Sequence, residues 1–172
     1  MIQLTQTSYV VLGLVARAGE ATPYDLKQIV TATIGGFFSI PHSQLYAEPE
    51  RLAGAGYLRE RREETGRRRK HYTITEKGRK ALADWLATPT EELYELRDPG
   101  LLRLAFGGDP RALAEAQLAS HEARLEELRG LARSLEAAGA PQEQLLVAEA
   151  GIGHSREYVR FWKRIAGGRQ AG

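Results

Sequence analysis

The chain has 172 residues, 42% hydrophobic and 27% charged, a globular mixture with room for one domain or two small ones. No run approaches the ~18 unbroken apolar residues of a membrane helix, and no basic region precedes the first apolar run, so neither a membrane span nor a signal peptide is expected. With no cysteine, disulfides and thiolate chemistry are excluded, in keeping with a reducing cytoplasm.

The net charge of +2 hides an asymmetry. Residues 1–88 carry 13 Lys and Arg against 9 Asp and Glu, whereas residues 89–172 carry 11 against 13. The basic half is the one suited to nucleic acid.

In chain order, Leu4, Ser8, Val11, Leu12 and Val15 predict one helical stripe, which Gly19 stops. Thr22-Pro23 is a cap-then-proline start for a second helix with Leu26, Ile29, Val30 and Thr33 inward, ended by Gly35-Gly36. Pro41 opens a third helix, buried through Leu45, Pro49, Leu52 and Ala53 and bounded by Gly54 and Gly56. The period then changes. Tyr57-Leu58 and His71-Tyr72-Thr73-Ile74 flank a polar stretch with Thr65-Gly66 at its middle, which predicts a two-stranded ribbon with a charged tip. Thr75 caps a fourth helix with Ala81, Leu82, Trp85 and Leu86 inward, stopped by Pro89.

The second half reads as wholly helical. Asp98-Pro99 and Asp109-Pro110 are cap-then-proline starts, the first for a short helix through Phe106. One 3–4 seam runs Leu118, His121, Leu125, Leu128, Ala132, Leu135; a second runs Leu145, Ala148, Ile152, Ser155, Val159, Trp162, Ala166. Gly139-Ala140-Pro141 separates them, which predicts an antiparallel helical hairpin that needs a partner surface. The fold class is mainly α with a small β-wing: a winged helix-turn-helix over residues 1–88, then a helical dimerisation domain over 89–172.

The chemistry follows from the elements. The third helix offers His42, Ser43, Gln44 and Tyr46 near its start, where a recognition helix meets base edges and phosphates. Arg67, Arg68, Arg69 and Lys70 form a cationic run on the ribbon, with Arg61 and Arg62 on the facing strand. Such charge suits the phosphate backbone, although Glu60, Glu63 and Glu64 dilute it. Dimerisation is expected through Leu118, His121, Leu125, Leu128, Leu135, Ile152, Val159 and Trp162. Trp85, Tyr158, Phe161 and Trp162 suggest an aromatic effector pocket, against the plainer reading that they pack in a core. His42, His71, His121 and His154 show no metal spacing, no glycine-rich phosphate loop is present, and no cofactor or catalytic role is expected.

Three stretches, TSYVVLGLVARAGEATPYDLKQIV, HSQLYAEPERLAGAGYL and GRRRKHYTITEKGRKAL, resemble the PadR family of transcriptional regulators. The correspondence rests on Pro23-Tyr24-Asp25-Leu26, Leu45-Tyr46, Gly56-Tyr57-Leu58 and Tyr72-Thr73-Ile74-Thr75 with Gly78; LRDPGLLRLAFGGDPRAL is similar to the longer members' C-terminal region. Pro49 departs from the pattern, standing where leucine is usual and removing a backbone hydrogen bond to Leu45. Asp98-Pro99-Gly100 also interrupts a stretch that is usually smoother helix.

The resemblance implies a cytoplasmic homodimeric repressor on a palindromic double-stranded operator, released by a small molecule or another signal. Two other readings stand beside it: an architectural DNA-binding protein without a specific operator, and a winged-helix adaptor for a partner protein.

Overall fold

The computed structural model describes residues 2–33, 40–64, 68–93 and 95–168, with side chains 31–33 left aside. The Gly35-Gly36 stop, the Thr65-Gly66 turn, Arg67 and the Thr33 side chain lie outside these residues. Two compact units result, Met1–Glu92 and Leu93–Gly172. The first ends at Glu92, where the sequence suggests a boundary at 88; Gln6 Nε2 donates to Glu92 Oε2 at 3.4 Å.

In the first unit, helix α1 spans Gln6–Ala18. Thr5 is its cap, and Ser8 closes a capping box by accepting from Thr5 N at 2.8 Å, so Leu4 precedes the helix. Strand β1 (Glu20–Ala21) and helix α2 (Pro23–Thr33) follow. Thr22 and Asp25 exchange backbone-to-side-chain hydrogen bonds at the α2 start (2.9 and 3.3 Å). Helix α3 (His42–Gly54) turns Leu45, Pro49 and Leu52 into the core and runs through Pro49 as one element. It ends in a Schellman arrangement, with Gly56 at φ 78° and Tyr57 N donating to Leu52 O at 2.9 Å.

Strands β2 (Leu58–Arg62) and β3 (Lys70–Ile74) form the wing. The sheet has three strands rather than two, in the order β1-β3-β2, with Glu20 opposite Thr73 and Ala21 opposite Tyr72. Two residues carry no period of their own, so only pairing with β3 defines β1.

Helix α4 (Glu76–Ala87) starts at Thr75, whose hydroxyl accepts from Gly78 N at 3.1 Å and donates to Tyr57 O at 2.9 Å. A Cβ on Gly78 would overlap that same Tyr57 carbonyl oxygen. The glycine three residues after the threonine is therefore a packing requirement. Ala81 and Leu82 face the core, but Leu86 is 68% exposed, which corrects the inward placement expected for it. Trp85 is also partly exposed and stacks its ring on Tyr9 at 4.9 Å.

The core holds Val11, Leu12, Val15, Leu26, Leu45, Leu52 and Tyr72, all essentially inaccessible to solvent. At about 1.5–3 kcal/mol per large apolar side chain, it fixes how α1, α2, α3 and the sheet pack.

The second unit contains α5 (Pro99–Ala105), α6 (Pro110–Ala137) and α7 (Gln142–Ala166). Asp98 caps α5 by accepting from Gly100 N and Leu101 N at 2.7 and 2.9 Å, and Asp109 caps α6 in the same way. Helix α5 ends at Ala105, leaving Phe106 85% exposed. Helices α6 and α7 pack along the two seams, with Leu125, Leu128, Ala148, Ser155, Val159 and Trp162 buried. Lys163 on α7 pairs with Glu122 on α6 at 2.8 Å.

Candidate nucleic-acid interface

Helix α3 is amphipathic in the sense that recognition requires. While Leu45, Pro49 and Leu52 are buried, His42, Ser43, Gln44 and Tyr46 are all exposed at the helix start. Ordinary helical periodicity thus places these four polar or aromatic side chains on the solvent side of a rigid element.

One edge of α3, which begins at Gln44, is tied to α1 by polar contacts. Ser8 is fully buried and donates to Glu48 Oε1 at 2.6 Å, while Arg51 reaches both Glu48 carboxylate oxygens (2.6 and 2.8 Å) and Ser8 Oγ (3.0 Å). Arg51 also donates to Gln3 O at 3.2 Å, and Thr7 Oγ1 donates to Gln44 Oε1 at 3.2 Å. Burial pushes the Glu48 carboxyl up, but hydrogen bonds from Arg51 and Ser8 outweigh it, so its pKa lies below the usual 4.5.

On the wing, three of the cations face carboxylates of the same unit. Arg61 pairs with Glu20 at 2.8 Å, Arg62 with Glu60 at 3.4 Å, and Lys70 with Glu50 at 2.5 Å and Glu60 at 3.5 Å. The Arg61 hydrogen bond holds the Glu20 carboxyl below its ordinary range, and Lys70 does the same to Glu50. Arg68 and Arg69 are exposed near the tip, Arg68 in the left-handed region at φ 49°. The hairpin closes beside them: Glu63 N donates to Arg69 O at 3.0 Å, and Arg69 N to Glu63 Oε2 at 3.2 Å. His71 lies between two carboxylates, Nδ1 at 3.1 Å from Glu20 and Nε2 at 3.0 Å from Glu63.

Composition and spacing miss Thr7, Ser8, Glu48, Glu50 and Arg51 as parts of this surface. For Glu48 and Arg51 the sequence does hold one signal, their i+4 and i+7 spacing from Gln44, which puts all three on one edge of α3.

In the second unit, Leu118, His121, Leu135 and Ile152 are half-buried, and Leu125, Leu128, Val159 and Trp162 are buried within the hairpin of a single chain. Apolar side chains that remain exposed there include Leu102, Phe106, Leu146 and Val147. Tyr158 and Phe161 join Leu101, Glu157, Arg160 and Arg164 around a cleft of about 340 Å³. Trp162 lies fully buried at the edge of the Phe161 ring, with centroids 4.9 Å apart, while Trp85 stands in the first unit against Tyr9. His121 and His154 flank the Tyr158 ring at 4.6 and 5.3 Å. Among the described residues, no three acidic or histidine side chains gather as a metal site, and no helix is long and apolar enough to cross a membrane.

Residues 11–84 match the profile of the Transcriptional regulator PadR-like family. The negative transcriptional regulator PadR of Bacillus subtilis is 28% identical over 171 residues, covering 91% of this chain and 93% of that protein. The crystal structure of Bacillus subtilis PadR in complex with operator DNA is similar with a TM-score of 0.83 at 27% identity, covering 96% of this chain and 98% of that one. The same regulator in complex with p-coumaric acid is similar with a TM-score of 0.74 at 26% identity, over 95% of this chain and 97% of that one.

Proposed function

This chain carries the PadR-like domain of a family of transcriptional regulators rather than enzymes, and from that premise we propose that it is a homodimeric repressor reading a palindromic operator. The observation that carries the reading is the exposed His42-Ser43-Gln44 turn with Tyr46, on a helix whose other face is locked in the core beside a cationic wing. Helix α3 enters the major groove, and the exposed Arg68 and Arg69 meet phosphates. Two copies read half-sites about one turn (~34 Å) apart. Such a protein works in the cytoplasm, where the operator is.

Leu146 and Val147, 55% and 46% exposed, support a second copy on the outer side of the hairpin, since each exposed apolar side chain favours burial. The seam from Leu118 to Trp162 then serves the dimer by holding the hairpin rigid. The cleft beside Tyr158 and Phe161 is the place proposed for a small-molecule effector that releases DNA, and the p-coumaric acid complex of the Bacillus subtilis relative supports it.

The test selects bound fragments from the source genome with the full-length chain, then measures its mass by analytical ultracentrifugation. One enriched palindrome and a dimer at micromolar concentration are expected. Uniform retention of all fragments would favour the architectural reading, and no retention at low salt the adaptor reading.

A further inference from the structure

His71, on β3, meets a carboxylate at each of its ring nitrogens. Nδ1 stands 3.1 Å from Glu20 Oε1 on β1, and Nε2 stands 3.0 Å from Glu63 Oε1, just past the end of β2. The side chain is only 19% exposed, so the ring sits mostly out of water between its two partners. Other charges surround this trio. Arg61, the cross-strand neighbour of His71 on β2, donates to the same Glu20 oxygen at 2.8 Å. Arg69 N donates to the second Glu63 oxygen at 3.2 Å, and Asp25 on α2 lies within electrostatic reach of both His71 and Arg69.

A neutral imidazole carries one N–H and one lone pair. Between two carboxylates, one nitrogen would then set its lone pair against a carboxylate oxygen. Only the imidazolium, with an N–H at each nitrogen, donates to both. The two contacts therefore form a proton-dependent link between β1 and the closing end of the wing. Hydrogen bonding from His71 is the main reason that the Glu63 carboxyl lies below its ordinary range. Glu63 in turn fixes Arg69, through Arg69 N and through its own N–H to Arg69 O at 3.0 Å.

We propose that His71 is a positioning residue that makes the grip of the wing on DNA depend on pH. Charged, it braces Glu63 and through it Arg69, and it offsets carboxylate charge that would repel phosphate. As pH rises and the proton leaves, one of the two contacts turns repulsive and the wing gains net negative charge. DNA of every sequence is then held less tightly, because the affected contacts are to the backbone. The inference rests on the DNA-binding reading and adds to it a response to protons.

The experiment follows the fluorescence anisotropy of a labelled random-sequence duplex with the full-length chain, at low and constant ionic strength. The series runs from about pH 6 to about pH 8, the span in which histidine ordinarily changes charge. Wild-type affinity is expected to fall on the order of threefold across it, as for one unit charge near phosphate without touching it, and His71→Gln to remove most of that fall. His42→Gln is the control, because His42 is exposed on the proposed recognition helix and contributes its own response. A fall that survives His71→Gln unchanged overturns the inference. A second measurement needs no variant: the His71 ring-proton NMR signal is followed against pH with and without the duplex. Proton and DNA binding are reciprocally linked, so the duplex is expected to move the His71 titration to higher pH. An unmoved titration overturns the inference as well. A chain that binds no duplex at any pH would instead overturn the DNA-binding reading itself, and this inference with it.

Discussion

Lys70, on the return strand of the wing, sets its Nζ 2.5 Å from Oε1 of Glu50 on α3. The contact joins the two elements proposed to grip DNA, and it occupies a cation that would otherwise face phosphate. The Glu50 hydrogen bond raises the Lys70 pKa, so the ammonium stays charged. Replacing Glu50 by glutamine is expected to release Lys70 to the backbone. Affinity should rise for operator and random DNA alike, and the log–log salt slope should steepen by up to about 0.9. Fluorescence anisotropy titrations across a salt series measure this. Unchanged slopes would show that Lys70 stays with Glu60 and does not reach DNA.

Arg68 and Arg69 supply the complementary measurement. Both are exposed beside the closed end of the hairpin. Their joint replacement by alanine is expected to weaken binding to every sequence and flatten the slope by up to about 1.8, roughly 0.9 for each lost phosphate contact. Specificity ratios should hold, because these side chains approach the backbone and not the bases.

Ser8 is the expected weak point of the first unit. Its hydroxyl, fully buried, accepts from Thr5 N and Arg51 and donates to Glu48. Ser8→Ala removes the α1 capping box and deprives Glu48 of a donor, at an expected cost of about 1–3 kcal/mol. Urea unfolding of the full chain reads the loss. A variant as stable as the wild type would mean that Arg51 alone satisfies Glu48.

The hairpin should be sensitive to acid through His121. Burial lowers its pKa from 6.5, and His154 adds to this while Asp98 opposes it. A depressed folded value means that the associated stability is intact above the unfolded pKa of 6.5 and is lost as pH falls through the folded value. Calorimetric melts from pH 7 downward are expected to show this decline, and His121→Gln should flatten it. Equal pH dependence in both proteins would assign the decline to other groups.

The order of helices, the Thr22, Thr75, Asp98 and Asp109 caps, the buried face of α3 and the exposure of His42, Ser43 and Gln44 were determined by the sequence itself. Each is a local matter of hydroxyl, carboxylate or apolar spacing read along one segment. Even the Thr75–Gly78 pair was visible as a motif, although its cause, the Tyr57 carbonyl packed against the glycine, was not. Tertiary structure alone decided that Glu20 and Ala21 form a strand, since a two-residue segment has no pattern until β3 lies beside it. It alone decided that Arg61, Arg62 and Lys70 face Glu20, Glu60 and Glu50, because a charge count is blind to which side chains converge. It turned Leu86 outward, where helical periodicity placed it inward, because the core that periodicity presumes had already ended at Leu82. The contact between Thr7 and Gln44 spans 37 residues of sequence, and only the packing of α1 on α3 brings the two side chains together.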